Sequence, residues 1–516
     1  MTAGRLARAA AVVAIFGLVS RLLGFAREIV LAAAFGTSGA TDAYFNSLLI
    51  VNSVAAILLY TLVTLIIPTF QRERAAEGTP SAWRLVSAMA AWVGIFLVVL
   101  TALVAIWPQA PTALFHLDAT RAAETETLIR IMAPALALQG FSAIFTAMLQ
   151  IHGRFAGPAA VGVAFNLGII IGVIAGQSSL GIKAAAWGVV LGATLQVVLQ
   201  LPQFMRLLRE NDVGAALTHP RLGAMGLLAL PVLGASLLQQ INSFTDKLFA
   251  SSLEAGRVSA LSFASALGQA PRVALLLPLM TPLFPVIAKL VAEERKDEAL
   301  RAFRRVAGLL GLVSVPMMLL LAIYSHEVAQ LAFQRRKCGP SCIDQIAPPL
   351  LFYALALWPA FGAFLLNRTL SAARRQRYIL TTTAITVAVT IALDLVLLGP
   401  MEQAGLALAS TIGVYVSTVI LLMGLRDEFP SLSLGAVGER QGRILVAGAL
   451  CAATALALNL VAPTDDMGSL EMLPALAAKV AAALAVYWLA ARALSRTELA
   501  EATRSLRALV GRAGPR

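Results

Sequence analysis

The feature that most constrains this chain is a succession of long apolar segments, which leaves few residues for anything else. Hydrophobic residues make up 59% of the 516 residues and charged residues only 13%, with a mean hydropathy of +0.82. A water-soluble domain cannot bury that much apolar surface, whereas a bilayer removes the need to do so. Roughly 20 apolar residues cross the hydrocarbon core as a helix, and about fourteen such stretches are present. They lie near 9–34, 41–69, 84–107, 128–151, 157–176, 182–205, 223–251, 257–288, 303–325, 346–367, 378–398, 403–425, 443–462 and 472–494.

These segments lack the alternation of a membrane-spanning strand, so a helical bundle is favoured over a barrel. The sequence therefore predicts an all-α integral membrane protein with about fourteen transmembrane helices. The first segment has a second interpretation, because Arg5 and Arg8 precede a short apolar run, as in a signal peptide. Arg21 interrupts that run and the apolar character resumes through Phe35. We therefore interpret the segment as a retained first helix.

The net charge of +13 is distributed unevenly between the loops. When the loops are numbered alternately from a cytoplasmic N-terminus, 28 of the 40 lysines and arginines fall on the cytoplasmic side. Two of the opposite loops, 108–127 and 463–471, are mainly acidic. An excess of basic residues marks cytoplasmic loops. The charge therefore indicates a multi-pass membrane protein with both termini in the cytoplasm, and it does not indicate a nucleic-acid partner.

A weak internal repeat divides the chain. Segment 67–74 resembles 284–295, and Phe25–Phe45 with Gly36 resembles Phe244–Phe263 with Gly256. The two copies are six helices apart, an even number, so both insert in the same orientation and form two lobes related by an axis along the membrane normal. Chance similarity between apolar segments is the alternative. The predicted domains are an N-lobe (1–222, helices 1–6), a C-lobe (223–430, helices 7–12) and a C-terminal part (431–516, helices 13–14 and a basic tail).

Charged residues inside the first apolar segment are the strongest functional signal. Arg21, Arg27 and Glu28 lie within Ser20-Arg-Leu-Leu-Gly-Phe-Ala-Arg-Glu28. Charges at membrane depth usually face a wet cavity or a counter-charge, and arginine suits phosphate because its planar fork donates two parallel hydrogen bonds. The alternative is a structural ion pair that joins helices 1 and 2, with Asp42 as acceptor.

Two further carboxylates lie in apolar segments and suggest coupling to an ion. Asp246 is in helix 7 and Asp394 in helix 11, and Thr411 follows in helix 12. Carboxylate and hydroxyl oxygens suit a hard cation such as Na⁺, and each carboxylate can alternatively bind H⁺. Lys247 is the competing explanation, because it can neutralise a carboxylate from a neighbouring helix.

The sequence contains no arrangement of residues typical of an enzyme. The four histidines have no metal-binding spacing and there is no Walker phosphate loop, so no cofactor is expected. Arg272 is another intramembrane cation, followed by prolines that either permit bending or form static kinks. Cys338 and Cys342 flank Gly-Pro-Ser in a predicted outer loop, where a disulfide and two free thiols are both open alternatives.

At these motifs the chain resembles the MurJ/MviN family of lipid II flippases, which belongs to the multidrug/oligosaccharidyl-lipid/polysaccharide exporter superfamily. The sharpest match is the Ser20–Glu28 segment followed by Gly36 and Ala40-Thr-Asp-Ala-Tyr-Phe45. Softer matches are Gly399-Pro400 through Ala409 and Leu331–Gln334. The resemblance implies fourteen helices, two six-helix lobes and a central cationic cavity.

The resemblance also implies roles for individual residues. Arg21, Arg27 and Asp42 match functionally important positions, and Glu28 replaces a usual aspartate with its charge kept. Asp246 matches a sodium ligand, and Asp394 falls where another ligand, often asparagine, is expected.

The departures from the family pattern concern arginines. Ala55 and Ala56 replace an arginine pair in helix 2, and Ala266 replaces a cavity arginine in helix 8. Arg272 lies about 9 Å further along that helix. The hold on a pyrophosphate head group should therefore be weaker or differently arranged.

We therefore expect a flippase that moves a polyprenyl-pyrophosphate-linked glycan, lipid II for peptidoglycan synthesis, from the inner to the outer leaflet by alternating access. Arg21, Arg27, Glu28, Asp42 and Arg272 would contact the substrate. The expected partners are the lipid-linked glycan, membrane lipids and cell-wall synthesis proteins. The alternatives are a flippase for another lipid-linked oligosaccharide, a drug/cation antiporter of the same superfamily, and a non-transporting membrane scaffold.

Overall fold

The chain is helical almost throughout. The computed structural model describes residues 3–211, 216–464 and 467–495, and no β-strand occurs among them. The helices are α1 (Ala3–Phe35), α2 (Gly39–Glu77), α3 (Thr79–Ile106), α4 (Gln109–Thr112), α5 (Ala119–Met132), α6 (Pro134–Ile151), α7 (Ala156–Leu180), α8 (Lys183–Glu210), α9 (Leu222–Ala250), α10 (Arg257–Ala292), α11 (Lys296–Ile323), α12 (Ser325–Phe333), α13 (Pro340–Leu355), α14 (Leu357–Ala372), α15 (Gln376–Glu428), α16 (Leu434–Val461) and α17 (Ser469–Leu494).

The helices have the length and composition of membrane spans. In the described residues, nine are long and apolar enough to cross a bilayer, and α13 with α14, bent by 44°, forms a tenth. Each of the fourteen predicted stretches lies in one helix or in a bent or broken pair of helices. The predicted all-α membrane fold is therefore confirmed.

The longest helix, α15, is two spans joined by a sharp bend. Its 53 residues would extend about 80 Å as a straight helix. Glu402 breaks the helix with φ 49° and ψ −131°, and a Cβ added at Gly413 would lie 2.3 Å from Thr390 Oγ1. Residues 390 and 413 can meet only if the chain folds back, so the two halves are antiparallel. This bend separates predicted helices 11 and 12.

Contacts group the described residues into two units: Met1–Ser259 with Arg335–Cys338, and Ala260–Gln334 with Gly339–Arg516. Helix α9 falls in the first unit because it packs along α2. The lobes with boundaries 1–222, 223–430 and 431–516 stay a prediction.

The first unit is held together by an apolar core and by a glycine seam. The core lies between α2, α3 and α6 and includes Ile66, Phe70 and Leu149. The seam joins α7 to α8, where a Cβ added at Gly168 would lie 2.3 Å from the Gly192 backbone. The main chains of the two helices therefore touch directly, as small residues allow between membrane helices.

The second unit has two apolar clusters. One joins α10, α11, α14 and α15 around Phe303 and Phe361. The other attaches α16 and α17 to α11, and there the hydroxyl of Tyr487 donates to the carbonyl of Leu312 at 2.9 Å. Helices α16 and α17 are thus fixed to α11 by both apolar and polar contacts.

The three cysteines occupy two kinds of site. Cys338 and Cys342 are disulfide-bonded, which decides between the alternatives left open by their spacing. Cys451 is free and fully buried, where it packs in the cluster between α11 and α16.

Candidate functional site

Arg27, inside the first apolar segment, is held by two polar side chains. Its Nη1 donates to Asn166 Oδ1 at 3.1 Å, and its Nη2 donates to Glu28 Oε1. The Arg27 side chain is 17% exposed and that of Glu28 is 6% exposed. The counter-charge of Arg27 is therefore its neighbour in sequence, and Asn166 fixes the direction of the guanidinium.

Asn166 is itself fixed in place. Its Nδ2 donates to the carbonyl of Ser20 at 3.0 Å and to the carbonyl of Gly162 at 2.9 Å. With both amide hydrogens used, Oδ1 is left to accept from Arg27. Sequence reasoning missed Asn166, although a single asparagine in the apolar helix α7 was the available signal.

The surroundings of Arg27 form a small charged cluster. It consists of Arg27 and Glu28 on α1, Asn166 on α7, Tyr44 on α2 and Lys247 on α9, and we name it the α1 charge cluster. Lys247 interacts electrostatically with both Glu28 and Arg27, as does Tyr44.

Several polar atoms of the cluster keep capacity for further hydrogen bonds. In the described part of the chain, Arg27 Nε, Glu28 Oε2 and the buried hydroxyl of Tyr44 have no hydrogen-bond partner. Unpaired polar atoms are costly in a low-dielectric interior. The cluster is therefore suited to bind water or a polar ligand group.

Arg21 is not part of this cluster. It is exposed, and six residues of helix separate it from Arg27, about 240° around the axis. The structure thus places the two arginines of the motif on different faces of α1, as their spacing predicts.

Asp42 binds backbone amides instead of an arginine. Its Oδ2 accepts from the amide of Gly256 at 2.6 Å and its Oδ1 from the amide of Ser259 at 2.7 Å, and the residue is 1% exposed. A carboxylate at this position satisfies the free N–H groups at the start of α10 and complements the helix dipole. The alternative in which Asp42 neutralises an arginine of α1 is not observed in the residues described.

Three of the remaining predicted site residues belong to the second unit. In the second unit, Arg272 is half-buried and donates to Gln269 Oε1 at 3.2 Å. The hydroxyl of Thr411 donates to the carbonyl of Phe352 at 2.8 Å. Asp394 is fully buried. It lies on the part of α15 where the two antiparallel halves of the helix pack against each other.

Asp246, the other predicted ion ligand, is half-buried on α9 in the first unit. It interacts electrostatically with Lys247. A group of three or more His, Cys, Asp or Glu side chains that could hold a metal is not found within residues 3–211, 216–464 and 467–495.

Solved structures with the same fold are transporters. A structure described as the lipid II flippase MurJ in an inward closed conformation matches with a TM-score of 0.79 and 18% identity, over 94% of this chain and 99% of that chain. An inward-facing multidrug resistance MATE family transporter of the MOP superfamily matches with a TM-score of 0.67 and 12% identity, over 82% and 98%. The helices and the buried charges thus define a polytopic membrane protein with the fold of the MOP-superfamily transporters.

The family follows from the sequence comparison. The family model for the lipid II flippase MurJ matches residues 31–473, and the chain belongs to this MurJ family. The lipid II flippase MurJ of Burkholderia cenocepacia is 26% identical over 436 residues, 82% of this chain and 84% of the relative. The probable lipid II flippase MurJ of Rhizobium meliloti is 26% identical over 526 residues, 95% of this chain and 94% of the relative. The resemblance seen in the motifs is therefore confirmed.

The range matched by the family model includes some of the predicted site residues and leaves out others. It includes Asp42, Asp246, Arg272, Asp394 and Thr411. Arg21, Arg27 and Glu28 precede residue 31 and lie outside it.

Proposed function

We propose that this protein is a flippase of the bacterial inner membrane that moves lipid II from the inner to the outer leaflet by alternating access. Membership of a transporter family supports a transport role without covalent chemistry. The observation that carries the proposal is the guanidinium of Arg27, a residue of the first apolar segment, which Asn166 and Glu28 hold in place. Such a group can bind a pyrophosphate through directed, charge-assisted hydrogen bonds.

The orientation and driving force are part of the proposal. The excess of basic residues in alternate loops supports a cytoplasmic location of both termini, and the substrate would then enter from the side of its synthesis. Asp246, Asp394 and Thr411 would bind Na⁺ or H⁺ and bias the conformational change. One charge that crosses the membrane contributes about 2.3 kcal/mol per 100 mV, so the membrane potential can also drive transport.

Complementation tests the proposal. The native lipid II flippase of a bacterial host is depleted, this chain is expressed, and lipid II in the outer leaflet is measured. Wild type should restore flipping and Arg27→Ala should reduce it at least tenfold. Arg84→Ala, an exposed arginine on α3, is the matched control and should act like wild type. Failure of the wild type rejects the lipid II assignment, and full activity of Arg27→Ala rejects the role of the α1 charge cluster.

Ion coupling is tested separately in proteoliposomes. Flipping is measured with a Na⁺ gradient, with a pH gradient and with neither. The Asp394→Asn variant should lose the response to the coupling gradient while substrate binding is kept. A variant that responds to both gradients like wild type contradicts the role of Asp394.

A further inference from the structure

Lys247 differs from the other charges of the α1 charge cluster in that its contact is with an aromatic ring and not with a polar side chain. Its ammonium lies 5.4 Å from the centre of the Phe45 ring. It makes no hydrogen bond or salt bridge with any residue that the structure describes. The side chain is half-buried in the last turn of α9, where an ammonium loses hydration. Its three N–H donors are thus open to a ligand.

Arg27, in contrast, is already engaged. Its Nη1 donates to Asn166 and its Nη2 to Glu28, so the charge of Arg27 is largely balanced by the carboxylate in contact with it. Lys247 interacts electrostatically with Glu28, Arg27 and Asp246, but it forms no salt bridge with either carboxylate. Lys247 is therefore the cation of the cluster that has no carboxylate in direct contact with it.

The aromatic contact explains how the ammonium is held without a salt bridge. A cation over an aromatic face is attracted by the ring quadrupole, by about 0.5–2 kcal/mol. Phe45 is 3% exposed and fixed in the fold, so it supports the end of the lysine side chain. This contact leaves the N–H groups of Lys247 free, unlike a salt bridge with Glu28.

We propose that Lys247 is a second cationic ligand for the diphosphate group of the substrate and acts together with Arg27. The inference rests on the proposed function, because it takes a lipid-linked diphosphate as the transported group. A diphosphate presents two phosphate groups, and two cations on different helices can each take one. The pair Lys247 and Arg27 thus selects a diphosphate over a monophosphate.

Binding of farnesyl diphosphate and farnesyl monophosphate to the purified full-length protein tests this assignment. Wild type should bind the diphosphate more tightly. Lys247→Met should weaken diphosphate binding by about tenfold, the value of one charge-assisted hydrogen bond, and should remove most of the preference over monophosphate. Lys247→Arg should keep both. Lys289→Met, which removes an equal charge from an exposed position on α10, should bind like wild type.

A second variant separates direct binding from an effect through Glu28. If Lys247 only compensates Glu28, the Lys247→Met effect should vanish in a Glu28→Gln background. If Lys247 contacts the diphosphate, the loss should persist there. Thermal unfolding of each variant confirms that the proteins compared are folded.

The outcomes distinguish this proposal from the proposed function. Diphosphate binding by Lys247→Met equal to wild type, or an effect that vanishes with Glu28→Gln, overturns the role of Lys247 while wild-type flipping stands. Absence of diphosphate binding by the wild type overturns both proposals. Loss restricted to Lys247→Met and rescued by Lys247→Arg supports the assignment.

Discussion

Removing the Asn166 side chain should destabilise the protein because one amide makes three hydrogen bonds. The bond from Arg27 is charge-assisted, and those to Ser20 and Gly162 are neutral. With about 2 kcal/mol for the first and about 1 kcal/mol for each of the others, Asn166→Ala should cost about 4 kcal/mol. An unfolding entropy of about 2 cal/mol/K per residue over 516 residues converts this into a midpoint about 4 °C lower.

The free cysteine provides the assay. Cys451 is fully buried, so a thiol-reactive fluorescent dye labels it only as the protein unfolds on heating. Gln177→Ala is the matched control, since Gln177 is a half-buried amide on the same helix without a hydrogen bond to a described residue. It should shift the midpoint by no more than about 1 °C.

A double-mutant cycle isolates the contact with Arg27. In an Arg27→Ala background, Asn166→Ala should lose only the two neutral bonds, about half of its effect. Two results refute the reasoning: a midpoint shift for Asn166→Ala no larger than that of Gln177→Ala, or the same shift with and without Arg27.

Three further predictions follow from other contacts. Asp42→Ala should lower the free energy of unfolding by about 3 kcal/mol or more, because two charge-assisted bonds to α10 are lost, and an unchanged midpoint of thermal unfolding contradicts it. Gly192→Leu should abolish the monodisperse peak in size-exclusion chromatography, whereas Gly223→Leu, with open space around it, should not; equal profiles contradict the seam. Hydrogen bonds from Arg121 lower the pKa of Asp118, so the cap of α5 contributes stability above pH about 4 and loses it as the pH falls further. Above that pH, amides of α5 should be better protected from hydrogen exchange in the wild type than in the Asp118→Asn variant, and in acid this difference should vanish. A difference that does not change with pH contradicts the prediction.

The spans were predictable from the sequence because lipid imposes one solution on the backbone. Every main-chain polar group must be paired inside the membrane, so apolar length alone indicates a helix. The same argument does not locate breaks within a span. Helices α5 and α6 meet at Pro134, and α13 and α14 are separated by a 44° bend, yet each pair reads as one apolar stretch. Breaks of this kind depend on local packing that hydropathy does not record.

The charged motif on α1 was visible in the sequence, but its partners were not. Arg27 and Glu28 are adjacent on a helix and diverge by about 100°, so the sequence favoured partners on other helices. The flexible guanidinium reaches Glu28 all the same, and Asn166 lies 139 positions further along. Asp42 is bound by amides at the start of α10, and such long-range pairing follows only from the tertiary structure.

The direct contact of α7 with α8 has a mechanical consequence for the arginine that Asn166 holds. At Gly168 and Gly192 the two main chains are in direct contact. No side chains lie between them there that could change rotamer and let one helix slide past the other. The two helices should therefore move as one rigid body. Asn166 belongs to this body and lies two residues from the contact. We therefore expect the Arg27 guanidinium to move only if α1 moves or if its hydrogen bond with the Asn166 amide breaks, because the position of Asn166 on α7 is fixed.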